Sequence, residues 1–153
     1  MKYLLDTNII VGYLNKTPYA NYVEDNYNIS DPQNITAISI VTYAELFSFA
    51  IRRNWGNGKK QRLNELLLMF PIIYINKNDI ALKYSEIDSY CKNKHPLNPP
   101  NFSAIKLSNN DTWIAATASL SNSTLITTDK DFLPLDKVFV NLLHIYQTIK
   151  GSS

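Results

Sequence analysis

The 153-residue chain contains a single cysteine, Cys91, and it has no apolar run near the length of a membrane span. One cysteine cannot form an internal disulfide bond, which is typical of a protein that works in a reducing compartment. A membrane-spanning helix needs about 20 consecutive apolar residues. The short apolar run after Met1 is interrupted by Asp6, which does not fit a secretory signal. We therefore expect a cytoplasmic protein with no membrane association.

The chain also lacks a strong excess of charge of one sign. Its net charge of +2 is too small to indicate a nucleic-acid partner by itself. The distribution is nevertheless uneven, because a basic stretch within residues 52–62 contains five cations and no acid, namely Arg52, Arg53, Lys59, Lys60 and Arg62. Such a stretch fits either an RNA-binding surface that contacts phosphates or a solvated helix face, and both interpretations stay open.

What is present indicates an ordinary globular domain. Hydrophobic residues make up 45% of the chain and charged residues 18%, which is typical of folded soluble proteins. Short β-branched or apolar runs, such as residues 3–5, 35–40, 125–127 and 138–140, alternate with segments of helical spacing. This alternation predicts a three-layer α/β/α sandwich with a central, mainly parallel sheet. We expect one domain over residues 1–150 and a flexible tail over residues 151–153.

Four acidic residues occupy comparable places in this pattern. Asp6 and Asp129 follow apolar runs, whereas Glu45 and Asp111 lie where helices are expected to begin. In a parallel sheet, the carboxyl ends of strands and the amino ends of the following helices share one edge. We therefore expect the four carboxylates to meet in one cleft at that edge.

A cluster of carboxylates is unfavourable unless a cation occupies it. Oxygen ligands select hard cations, so Mg²⁺ or Mn²⁺ is the expected cofactor. Zinc is not expected, because Cys91, His95 and His144 show no ligand spacing. A metal ion held by carboxylates can activate water and neutralise charge on a phosphoryl group, which is what hydrolysis of a phosphodiester requires.

Each acid also has a simpler explanation. The pairs Thr42/Glu45 and Ser108/Asp111 both fit the capping box, in which the acid only stabilises the start of a helix. Asp6 can likewise be an N-terminal helix cap, and Asp129 and Asp131 can be turn formers between strands. Capping predicts a role in stability and none in chemistry, so the two interpretations make different experimental predictions.

Four short segments carry a resemblance to a known family. They are LDTN at residues 5–8, TYAEL at 42–46, DTWIAATA at 111–118 and TTDKDF at 127–132. In their order and spacing they resemble the motifs of the PIN-domain family, in particular its VapC-type toxin ribonucleases. The resemblance extends over nearly the whole chain, from about Met1 to Val140, and the four motifs are specific only when taken together.

The resemblance implies a Mg²⁺-dependent endoribonuclease that acts on single-stranded segments of structured RNA. By this likeness the catalytic and metal-binding residues would be Asp6, Glu45, Asp111 and Asp129. The polar residues around them would be Thr7, Asn8, Thr127 and, at a more variable family position, Asp131. Members of the toxin subgroup usually form homodimers and are inhibited by a cognate VapB-like antitoxin, so we expect both partners here.

Two alternatives remain open at this point. The chain can be an RNA-processing PIN nuclease that has no antitoxin, which the sequence of the chain alone does not distinguish from a toxin. It can also be a non-catalytic α/β binding module that keeps the fold but uses no metal.

Overall fold

The computed structural model describes residues 1–76, 78–100 and 103–148. The flexible tail expected at residues 151–153 lies outside these ranges. Within them, five strands form one sheet in which every pairing is parallel. The strands are β1 (Lys2–Leu5), β2 (Ile35–Ser39), β3 (Ile72–Ile73), β4 (Thr124–Thr127) and β5 (Asn141–His144). Their order across the sheet is β3-β2-β1-β4-β5, so β1 is central and both β3 and β5 are edges.

The described residues also contain six α-helices that connect these strands. They are α1 (Thr7–Leu14), α2 (Pro18–Tyr27), α3 (Ile40–Arg52), α4 (Asn57–Leu67), α5 (Asn78–Cys91) and α6 (Asn109–Ser121). A short 3-10 helix, Lys130–Leu135, follows β4. In the described part of the chain, no helix combines the length and the apolar character that crossing a bilayer requires.

The central strand β1 separates two hydrophobic cores. Successive side chains of a strand point to opposite faces of the sheet. Tyr3 and Leu5 pack on one face, in a core that includes residues of α1, α2, α3 and α4. Leu4 packs on the other face with residues of α5 and α6. The predicted three-layer α/β/α sandwich with a parallel sheet is therefore confirmed.

Two predicted element boundaries are wrong. Residues 138–140 do not form a strand, because the chain turns at Lys137 with a positive φ of 61° and the strand begins at Asn141. Helix α3 begins at Ile40 and not near Thr42, because Ser39 caps it: the Ser39 Oγ accepts a hydrogen bond of 2.9 Å from the Thr42 backbone N–H. Glu45 consequently lies in the second turn of α3, where it cannot act as part of a capping box.

Candidate active site

The four acids predicted from the sequence lie together at the carboxyl edge of the sheet. Asp6 directly follows β1, and Asp129 lies two residues after the neighbouring strand β4. Their negative charges interact: Asp111 and Glu45 both raise the pKa of Asp6, and Asp129 and Glu45 both raise the pKa of Asp111. The parallel topology thus brings together side chains that are as far apart in sequence as residues 6 and 129.

Asp6 is the most buried of these acids, with 3% of its surface exposed. It caps α1, since its Oδ1 accepts a 2.7 Å hydrogen bond from the Thr7 backbone N–H. Its Oδ2 accepts a 2.6 Å hydrogen bond from the Thr127 hydroxyl. Burial raises the pKa of Asp6 to about 7, although both hydrogen bonds act in the opposite direction. In the metal-free chain the protonated and charged forms of Asp6 are therefore comparably populated near neutral pH.

Glu45 is held by hydrogen bonds at both carboxylate oxygens. The Thr7 hydroxyl donates to Oε2, and the Asn110 side-chain amide donates to Oε1 at 2.7 Å. Asn110 is a contact that the sequence analysis missed. The available signal was its position immediately before Asp111, in the first turn of α6. The Asn110 bond connects the helices that carry Glu45 and Asp111, and the Thr7 bond connects Glu45 to α1.

Asp111 occupies the first turn of α6, as the capping pattern predicts. Ser108 is the N-cap residue, and its Oγ accepts a 3.1 Å hydrogen bond from the Asp111 backbone N–H. The same hydroxyl donates to Asp111 Oδ2 at 2.5 Å. Burial is the largest factor that raises the pKa of Asp111. Local capping and participation in the acid cluster therefore coexist at this residue.

The segment after β4 positions the fourth acid. The Thr127 hydroxyl, which donates to Asp6, also accepts a 2.9 Å hydrogen bond from the Asp129 backbone N–H. Asp129 Oδ1 accepts a 2.9 Å hydrogen bond from the Asp131 backbone N–H, and the Asp131 side chain is exposed. Thr127 is thus the direct link between Asp6 and Asp129, whereas Asp131 contributes its backbone.

Among the described residues, open clefts lie on two sides of the acids. The first, which we call the Glu45 cleft, has a volume of about 580 Å³ and is lined by Ile40, Val41, Ala44, Glu45, Ser48, Arg52 and Asn110. The second, the Asp129 cleft, has a volume of about 610 Å³ and is lined by Asn8, Thr128, Asp129, Lys130, Leu133, His144, Tyr146 and Gln147. Asn8, one of the predicted supporting residues, therefore lines the same cleft as Asp129.

The residues of the basic stretch lie in different surroundings in the structure. Arg52 lines the Glu45 cleft, and Arg53 lies over the ring of Phe49, 4.8 Å from its centroid. The Lys59 ammonium instead donates a 2.9 Å hydrogen bond to Asn15, at the end of α1 opposite to Asp6. Because α1 has eight residues, it is about 12 Å long, and this length separates Asn15 and Lys59 from Asp6. Of these three cations, Arg52 is the one placed beside the acid cluster.

Within the described ranges, no basic side chain forms an ion pair with the acid cluster. The ion pairs found there are Lys83–Glu86, Lys92–Asp88 and Lys137–Asp136, all outside the cluster. In the same ranges, no three His, Cys, Asp or Glu side chains are arranged so that they could hold one ion by themselves. A cation that binds through one or two carboxylates and keeps several waters, as Mg²⁺ does, fits this set of oxygen donors.

A parallel α/β/α sandwich with four acids at its carboxyl edge is the architecture expected for a PIN domain. The chain belongs to the PIN domain family, whose sequence profile matches residues 3–138.

Individual relatives agree with this assignment. The chain is 30% identical over 137 residues to "Ribonuclease VapC2" of Rickettsia felis, covering 86% of this chain and 90% of that protein. Its fold is similar to that in the crystal structure of VapBC2 from Rickettsia felis bound to a promoter DNA fragment, with a TM-score of 0.75, 26% identity, and coverage of 95% and 99% of the two chains. It is also similar to VapBC-1 from nontypeable Haemophilus influenzae, with a TM-score of 0.70, 28% identity, and coverage of 94% and 98%.

Proposed function

We propose that the chain is an endoribonuclease that hydrolyses RNA phosphodiester bonds with Mg²⁺ or Mn²⁺. The observation that carries this proposal is the group of interacting acids around Asp6, with which no basic side chain of the described residues forms an ion pair. A divalent cation would stabilise the charged form of such a cluster. The similarity to a protein named as a ribonuclease supports RNA as the substrate.

The side chains have separable parts in this proposal. Asp6 and Asp111 would bind the cation most directly, and Glu45 and Asp129 would bind it or accept a proton from the attacking water. Thr7 and Asn110 fix both oxygens of Glu45, and Thr127 fixes Asp6. A bound divalent cation would lower the pKa of a water molecule and neutralise charge on the phosphate. The protein supplies the orientation of the carboxylates before the substrate binds.

We further propose that this nuclease is the toxin of a VapBC-type pair, with a VapB-like antitoxin and a homodimeric state. The support is that the similar structures from Rickettsia felis and Haemophilus influenzae are VapBC proteins. An RNA-processing nuclease without an antitoxin remains the alternative within the family. A small antitoxin-like reading frame next to the gene would favour the toxin.

Incubation of the purified chain with total RNA tests the enzymatic proposal. Sequencing of the fragment ends should show cuts at defined positions with 5′-phosphate ends in Mg²⁺ or Mn²⁺, and no such cuts in excess EDTA. Undiminished cleavage in EDTA would exclude the metal-dependent mechanism. A folded chain that cleaves RNA under neither condition would support the non-catalytic binding module.

A further inference from the structure

The Asp129 cleft contains side chains that have no role in the proposed hydrolysis. Tyr146 is 74% exposed and Leu133 is 49% exposed, and both line the cleft. The ring of Tyr146 meets the ring of His144 edge-on, with centroids 4.9 Å apart and planes at 89°. The Nδ1 atom of His144 is buried, and it has no hydrogen-bond partner among the described residues. A buried polar atom without a partner usually has a functional or solvent-related explanation.

The same cleft is joined to the acid cluster by the sheet. Strand β5 pairs with β4 so that His144 is the partner of Thr127, whose hydroxyl donates to Asp6. The next backbone N–H, that of Ile145, donates a 2.8 Å hydrogen bond to the carbonyl of Thr127. The segment that carries Tyr146 is therefore fixed next to the carboxylates.

The walls of the cleft suit one kind of occupant. An exposed aromatic ring offers a flat surface on which a nucleobase can stack, and such stacking tolerates different bases. Polar groups lie beside it, since the Gln147 amide donates a 3.1 Å hydrogen bond to Thr128 Oγ1. Lys130 is exposed and belongs to the same lining, so it can attract a phosphate. A basic peptide, the other occupant that an acid cluster could attract, would be repelled by Lys130.

We propose that the Asp129 cleft is a nucleobase subsite for a single-stranded RNA. In this proposal a base adjacent to the phosphate at the acids stacks on Tyr146, and the edge of that base lies towards His144 and Gln147. The inference rests on the proposed function, because it assumes that the strand crosses the acid cluster. The subsite would be a position at which the enzyme distinguishes one base from another.

Binding of a labelled single-stranded RNA, measured by fluorescence anisotropy in Mg²⁺, tests the subsite without requiring cleavage. All chains in this assay also carry Asp6→Asn, so that the probe stays intact. Tyr146→Ala should weaken binding about tenfold, in line with the loss of one stacked base. Tyr146→Phe should bind as the parent does. The matched control is Tyr74→Ala, because Tyr74 is also exposed, at 55%, but follows the opposite edge strand β3.

A second measurement examines which base is chosen. In chains with an intact Asp6, His144→Phe keeps a ring but removes both nitrogens, so the sequenced cuts should lose their base preference at one position next to the cleaved bond. Equal affinity of the Tyr146→Ala chain and its parent for RNA would overturn the subsite. A basic peptide that binds more tightly than RNA, and whose binding depends on Tyr146, would also overturn it. RNA binding that depends on Tyr146 would support the subsite even if the chain with an intact Asp6 never cleaves RNA. That combination of results would contradict the proposed nuclease activity.

Discussion

The hydroxyl of Thr127, the last residue of β4, donates a 2.6 Å hydrogen bond to Oδ2 of Asp6, the first residue after β1. This bond joins two strands that are neighbours in the sheet but 121 residues apart in sequence. It lowers the pKa of a carboxyl that burial raises. Thr127 therefore helps to orient the Asp6 carboxylate and favours its charged form.

Replacing this hydroxyl should change the pH profile of the proposed nuclease. Thr127→Val keeps the shape of the side chain and removes the donor, so the pKa of Asp6 should rise further and Mg²⁺-dependent cleavage should require a higher pH. A lost hydrogen bond to a charged group costs about 1.5–3 kcal/mol. Thr127→Ser should restore the profile. Thr124→Val, at the other end of β4, is the control, and an identical profile for Thr127→Val and wild type would contradict this role.

The free energy of unfolding should depend on pH through Asp6. Its pKa is raised from 3.8 to about 7 in the folded chain, so between those values the native state binds more protons than the unfolded state. The metal-free chain should therefore lose stability as pH rises from about 4 to about 7, by a few kcal/mol at most. Denaturant unfolding of wild type and Asp6→Asn across this range measures the effect as a difference.

Saturating Mg²⁺ should reduce this pH dependence, because a bound cation stabilises the charged carboxylate. The stabilisation by Mg²⁺ should be larger at pH 8 than at pH 5, and it should be absent in Asp6→Asn. A wild-type chain that becomes more stable relative to Asp6→Asn as pH rises would have the opposite sign and would contradict the raised pKa.

The basic stretch should contribute to RNA binding through Arg52 and not through Lys59. Each phosphate contact on a single strand adds about −0.7 to the slope of log affinity against log salt. Arg52→Gln should flatten the slope by about that amount. Lys59→Gln, which removes a cation from the far end of α1, should leave it unchanged. Equal slopes for wild type and both variants would show that the stretch is a solvated surface.

Expression in cells distinguishes the toxin from an RNA-processing enzyme. Induction of the wild-type chain alone should stop growth, and induction of Asp6→Asn at the same protein level should not. Co-expression of a VapB-like antitoxin should restore growth. Normal growth with a chain that demonstrably cleaves RNA would favour the RNA-processing alternative.

The sequence was sufficient for the layers and for the four acids because both follow from local patterns. The run at residues 3–5 ends at Asp6, and parallel strands place such positions at one edge. It was insufficient where tertiary contacts decide. The hydrophobic residues 138–140 resemble a strand, but the turn at Lys137 delays pairing until Asn141 meets Thr124.

Two features of the site could not be predicted from local sequence patterns, for similar reasons. Ile40 and Val41 are β-branched and continue the apparent strand, so the true helix start at Ile40, capped by Ser39, was not predicted. Glu45 was therefore considered as a capping residue. Asn110 looks like an ordinary residue at a helix start. Its hydrogen bond to Glu45 depends on how α3 and α6 meet, which local spacing does not encode.

The central claim is that the acids at the sheet edge perform metal-dependent chemistry, and the rate of RNA cleavage in Mg²⁺ tests it most directly. Asp6→Asn keeps a good helix cap, so a pure capping role predicts a rate within a few-fold of wild type. Our account predicts that Asp6→Asn and Asp111→Asn each lose at least about a hundredfold in rate, while Asp88→Asn, on the surface of α5, retains full activity. Wild-type rates in both site variants would contradict the account.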